Sequence, residues 1–262
     1  MTEFEIIALA AIVVFSCHLL EGITGFGSTV VSLPFLAALM GIRTAVPLLC
    51  VMSWVMAIYI VIRSWRAIAW REYGFICFWV ALGMPAGLFL FDRMPAEWLC
   101  VLLGIFMIGV GIQGSVRCWK KQAGNTFSGR KRNWLMKLIL WGGGVITGAF
   151  GTGGPFVVIY ASGALQEKTL FRVTLSMLWL TMGTWRLLVW TWQGDVWTPE
   201  LLRRIFWMLP FLVLGVLVGD FLHYRVKELT FRKVVYAVLC ISGTVMLSSN
   251  LLKILQMNGA LQ

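Results

Sequence analysis

The chain has 262 residues, 60% of them hydrophobic and only 13% charged, with a mean hydropathy of +0.85 and a formal charge of +11. Soluble domains carry about 45–50% apolar and about 25% charged residues, so a water-soluble fold is excluded. Six cysteines without Cys-x-x-Cys spacing support neither a disulfide scaffold nor a zinc site. The cations crowd a few loops between apolar runs, which points to membrane topology rather than to nucleic acid.

Runs with little or no charge cover 6–20, 26–41, 44–62, 73–91, 98–116, 138–149, 152–165, 173–185, 205–219 and 234–252. A crossing helix needs about 20 apolar residues for a hydrocarbon core ~30 Å thick. Lipid admits only helices or closed barrels, and these runs do not alternate, so the expected fold is all-α, a polytopic membrane helix bundle. The runs 152–165 and 173–185 are read as too short for full crossings. The acidic start, Met1-Thr-Glu-Phe-Glu5, lacks a small-x-small cleavage motif, so the first run is expected to remain as a membrane segment. Trp65, Trp70, Trp98, Trp119, Trp134, Trp192 and Trp197 fall near run ends, where aromatic belts form.

Two of these apolar regions are interrupted in nearly the same words. The first reads Gly22-Ile-Thr-Gly-Phe-Gly-Ser-Thr29, followed by Pro34; the second reads Ile146-Thr-Gly-Ala-Phe-Gly-Thr-Gly-Gly-Pro155. Other landmarks recur in the same order. Arg43-Thr44 matches Lys168-Thr169, and Met52-x-Trp54 matches Met177-x-Trp179. Gly83-x-x-x-Gly87-x-Phe89-Leu90-x-x-Arg93 matches Gly215-x-x-x-Gly219-x-Phe221-Leu222-x-x-Arg225. The chain therefore divides into a first repeat over 1–116, a basic linker over 117–133 and a second repeat over 134–262. Each repeat is expected to hold a glycine-broken short helix pair and three longer helices.

With five segments per repeat, the two copies enter the membrane from opposite sides. Placing the linker in the cytoplasm puts sixteen of the twenty-two cations there, five outside and Arg186 within a segment. That bias favours inverted repeats with both termini outside. The Gly-x-x-x-Gly elements are read as close packing within the fold.

Glycine in a helix interior costs about 1 kcal/mol relative to alanine, and broken helices in matching places of two repeats mark a transporter site. A helix that restarts after a break presents unpaired N–H groups and the positive end of its dipole. Gly25, Gly27, Gly151 and Gly153 would let an anion approach the backbone, while Ser28, Thr29 and Thr152 would donate hydroxyl hydrogen bonds. Arg186 either adds charge to the site or snorkels to the interface. His18, Glu21, Arg43 and Lys168 are candidates for gating or coupling. No catalytic, cofactor or metal motif is present, so an enzyme is not expected. The expected partners are a small anionic substrate and the lipid bilayer, with a homodimer also open and nucleic acid not expected. The rival reading is a membrane scaffold whose glycines pack without a polar cavity.

Carried by Gly22–Pro34 with Arg43-Thr44, and by Gly144–Pro155 with Lys168-Thr169, the chain resembles the sulfite exporter TauE/SafE family over nearly its whole length. The resemblance implies transport of small anions, often sulfur oxyanions or organosulfur acids, across the inner (plasma) membrane.

Overall fold

The computed structural model describes residues 3–24, 28–119, 134–151, 154–165, 167–194, 196–222 and 228–259. Among them are ten α-helices and no strand: α1 (Glu3–Thr24), α2 (Ser28–Met40), α3 (Ile42–Ser64), α4 (Trp70–Arg93), α5 (Ala96–Trp119), α6 (Trp134–Phe150), α7 (Gly154–Ala164), α8 (Lys168–Gln193), α9 (Pro199–Leu222) and α10 (Glu228–Gly259). A single 3-10 turn, Trp65–Ala67, follows α3. Helices α3 (with this turn), α4, α5 and α9 each hold a stretch long and apolar enough to cross a membrane.

The two expected breaks separate α1 from α2 and α6 from α7. At 1.5 Å per residue, the 13 residues of α2 and the 11 of α7 reach about 20 Å and about 16 Å, too short to cross. Both nonetheless lie inside the protein. In α2 every residue from Ser28 to Pro34 is buried, with Leu36 and Ala37; α7 buries Val157, Ile159, Tyr160 and Ala161. Protein surrounds both short helices, as hydrocarbon requires of chain that stops within it. The long helices instead turn apolar side chains outward: Ile62 and Phe206 are each 71% exposed, and Ile12, Phe78, Phe89, Leu188 and Ile241 are exposed as well. Large apolar surface of this kind is normal only against lipid. Trp65, Trp70, Trp98, Trp134 and Trp192 stand exposed near helix ends, in the belt positions expected of them.

Two lengths differ from expectation. The run 173–185 is not a short segment. It is the middle of α8, 26 residues long, which carries Arg172 and Arg186 inside it and stops only at Gly194. There a positive φ of 81° lets the glycine N–H reach the Trp190 carbonyl at 3.1 Å. Helix α1 is also long, at 22 residues, so in the first half only α2 is short.

The main packing pairs are α5 with α10, α4 with α6, α1 with α9, and α3 with α8. Glycine sets three of them. A Cβ built on Gly83 would lie 2.1 Å from the Trp141 carbonyl, and one on Gly87 would lie 2.0 Å from that of Val145. From the other side, a Cβ built on Gly144 would lie 2.1 Å from the Val80 carbonyl, and one on Gly148 2.2 Å from that of Met84. Helices α4 and α6 thus touch backbone to backbone. Gly215 and Gly219 of α9 meet Phe15 and Leu19 of α1 in the same way, at 2.7 and 2.4 Å. Gly104 and Gly111 of α5 take α10 near Gly243 and Cys240. The Gly-x-x-x-Gly elements therefore serve packing inside the chain, as their spacing suggests.

Because the obstructing atoms at Gly87 are backbone, Gly87→Ala must push α4 from α6. It should cost about 1–3 kcal/mol, lowering the melting temperature of the detergent-solubilised protein by several degrees. Gly142, whose Cβ would meet nothing within 4 Å, is the control: Gly142→Ala should leave the melting temperature unchanged or raise it, since alanine favours helix by about 1 kcal/mol.

Candidate anion site

The two breaks open onto one cavity. Its walls are Glu21 at the end of α1, Thr29 in the first turn of α2, Thr147 and Gly151 at the end of α6, and Gly154 at the start of α7. Cys50, Ser53 and Trp54 of α3 and Trp179, Met182, Gly183 and Arg186 of α8 complete it. Trp179 and Gly183 lie in the middle of α8, so the cavity sits deep in the bundle. It offers about 30 Å³ to the centre of a water molecule. A single water needs roughly 10–15 Å³ on this measure, so the space suits an ion of a few atoms.

Arg186 is the dominant charge here and is 1% exposed, so it does not snorkel. Its Nη1 donates to the Thr147 carbonyl at 2.6 Å and its Nη2 to that of Ala149 at 3.3 Å. These carbonyls close α6, where a cation is favoured by the negative end of the helix dipole. The guanidinium carbon lies 4.3 Å from the Trp190 ring centre and 5.3 Å from that of Phe91. Bonds to a charged donor are worth about 1.5–3 kcal/mol each and a desolvated cation–π contact about 2 kcal/mol. Together they offset a desolvation penalty of several kcal/mol. Nε remains buried without a hydrogen-bond partner, so the fork is not fully spent. The end of α6 is shaped by Gly151, whose φ of 71° is in the left-handed region and whose N–H bonds the Thr147 carbonyl at 2.9 Å.

The polar wall opposite is built from α1, α2 and α3. The Ser28 hydroxyl donates to Glu21 Oε2 across the first break. Thr29 Oγ1 and Ser53 Oγ lie 2.6 Å apart. Trp54 Nε1 donates to Thr184 Oγ1 at 2.8 Å, and its ring occupies the space that Gly183 leaves on α8.

Of the residues expected at the site, Thr29, Gly151, Arg186 and Glu21 line the cavity. Ser28 is buried behind it, engaged with Glu21. Gly25, Gly27, Thr152 and Gly153 lie outside the described residues, as does the side chain of Lys168, which opens α8. His18 is fully buried one turn before Glu21, away from the cavity, with Nδ1–H donating to the Val14 carbonyl at 2.8 Å. Arg43 stands at the start of α3, donates from Nη2 to the Met94 carbonyl at 2.8 Å and lies over the outer face of the Phe91 contact at 5.5 Å.

Sequence reasoning passed over the α3 and α8 walls, Cys50, Ser53, Trp54, Trp179, Met182 and Gly183. The repeated Met-x-Trp pair was the available signal, since both tryptophans face the cavity. It also gave Asp220 no role. The structure pairs Asp220 with Arg172 at 2.9 Å and with Arg63 at 3.8 Å, joining α9 to α8 and α3.

Replacing Arg186 by methionine keeps bulk but removes the charged donor from the Thr147 and Ala149 carbonyls. The variant should lose about 2–5 kcal/mol of stability, seen as a fall in melting temperature, and Arg186→Lys, with one point charge in place of a fork, should fall between it and the wild type.

A family model described as sulfite exporter TauE/SafE matches residues 9–246, from α1 into α10 and across both breaks. The probable inner membrane transporter protein TsaS of Comamonas testosteroni is 25% identical over 185 residues, covering 69% of this chain and 73% of TsaS. No solved structure matches the chain. With the match running through nearly all of a multi-pass helical bundle, the chain belongs to the sulfite exporter TauE/SafE family.

Proposed function

We propose that this protein is a secondary transporter, and in the direction of export, of a small sulfur-containing anion such as sulfite, held in the cavity between the opening turns of α2 and α7. The observation that carries the reading is that one cavity is lined by residues flanking both breaks, Glu21 and Thr29 at the first and Gly151 and Gly154 at the second, by hydroxyl groups and by an incompletely bonded guanidinium. Amide ends and Arg186 attract negative charge, while Thr29 and Ser53 supply hydroxyl donors. The size of the cavity favours a small oxyanion or short sulfonate over a bulky aromatic one. A membrane scaffold with fully packed glycines would have no reason to keep such a space.

The inverted-repeat reading is supported by how the helices pair. Under a two-fold relation α1–α5 correspond to α6–α10. The pair α1–α9 then becomes α6–α4, while α3–α8 and α5–α10 map onto themselves, and these are the main packing pairs. Each half places its Gly-x-x-x-Gly helix against the broken helix of the other. Alternating access would rock these interlocked units about the cavity. An inside-negative potential favours outward movement of net negative charge by about 2.3 kcal/mol per charge per 100 mV. The relative TsaS is named as an inner membrane protein, and we place this chain there, with both termini outside the cytoplasm.

Two measurements test this. In proteoliposomes, Thr29→Val with Ser53→Ala should reduce exchange of radiolabelled sulfite by tenfold or more, whereas wild-type rates in the double variant would remove these residues from the site. Alkaline phosphatase fused to the C-terminus should be active in intact cells; an inactive fusion with a stable product would reverse the assigned orientation.

A further inference from the structure

We propose that Glu21 takes up one proton with each anion, so that the cavity moves an anion–proton pair; this rests on the anion-transport reading above. The geometry sets the problem. One small cavity is lined by a carboxyl group and a guanidinium, 6% and 1% exposed. The two do not form an ion pair: Arg186 is bonded to the α6 carbonyls, and Glu21 receives the Ser28 hydroxyl. An ionised Glu21 would therefore set a second negative charge beside the anion that Arg186 and the amide ends attract. Like charges sharing one poorly hydrated site oppose each other's ionisation. Protonation removes the conflict and turns the carboxyl from acceptor to O–H donor toward the anion.

The surroundings leave this exchange to Glu21. Arg172 of α8 is the cation whose charge reaches it, and Arg172 is bound to Asp220 of α9, which also holds Arg63 of α3. Cys17, one turn back on α1, and Cys50 of α3 are buried thiols. His18 is turned to its own helix carbonyl. The Ser28 hydroxyl can donate to the carboxylate or to the carbonyl oxygen of the acid, so the link between α1 and α2 survives both states. In the cycle, a proton from water on the entry side forms an O–H bond at Glu21 as the anion docks. After the site opens to the other side, that bond breaks, the proton returns to water and the anion leaves. Nothing is oxidised or reduced.

The test uses the full-length protein in proteoliposomes with radiolabelled sulfite as probe and protein-free liposomes subtracted. Counterflow at equal pH is measured first; its absence in the wild type would remove the anion reading and this inference with it. A gradient of one pH unit, acid outside, is then imposed with equal total sulfite. About tenfold accumulation per coupled proton is expected, since one unit corresponds to a factor of ten. Counterflow without gradient-driven accumulation would overturn the inference and leave the anion reading standing. In Glu21→Gln, whatever counterflow persists should not respond to the gradient; a gradient response of wild-type size would mean that the proton rides on the sulfite, and the assignment to Glu21 would fall. If Glu21→Gln shows no counterflow, Glu21→Asp decides: a displaced pH midpoint of driven uptake supports the assignment, and an unmoved midpoint overturns it.

Discussion

A helix that stops inside hydrocarbon leaves amides and carbonyls that no water can satisfy, and this chain stops two helices there. The rest of the architecture follows from covering those ends. Helices α2 and α7 are too short to cross, so longer helices enclose them. The carbonyl end of α6 takes the Arg186 fork. The start of α2 is tied back to α1 through Ser28 and Glu21. What remains open between the two breaks is a space lined by hydroxyl groups, by the Glu21 carboxyl and by the Arg186 guanidinium.

Arg186 illustrates how cost and use meet in such a site. A guanidinium buried in the bundle is tolerated because α6 ends where it does and because Trp190 and Phe91 flank its faces. The same arrangement holds it rigidly beside the cavity.

Much of this was legible in the residues. The apolar runs located every helix, and the repeated glycine words located both breaks, because a run of hydrophobic residues and an unusual glycine cluster are local signals. The length of α8 was not legible: Arg186 looks like the end of a segment until its partners are known, and those partners, Thr147 and Ala149, lie in a different helix. Asp220 was opaque for the same reason, since its meaning depends on Arg172 and Arg63. The cavity walls from α3 and α8 carried a faint sign in Met52-x-Trp54 and Met177-x-Trp179. Periodicity alone assigns such residues to packing, and only tertiary proximity turns Ser53 toward Thr29. Arg43 and His18 show the converse, residues conspicuous in sequence that the fold spends on a turn carbonyl and a helix carbonyl.

The exchange of glycine faces between halves has a consequence for biogenesis. The groove on α4 is complementary to α6, and that on α1 to α9. As the ribosome feeds helices into the bilayer in order, α1 must wait beside lipid until the residues of α9, beyond position 199, have been translated. Each half carries a glycine face that the other half covers. A nascent chain interrupted after its first five helices would present bare backbone ridges, a natural recognition mark for membrane quality-control proteases.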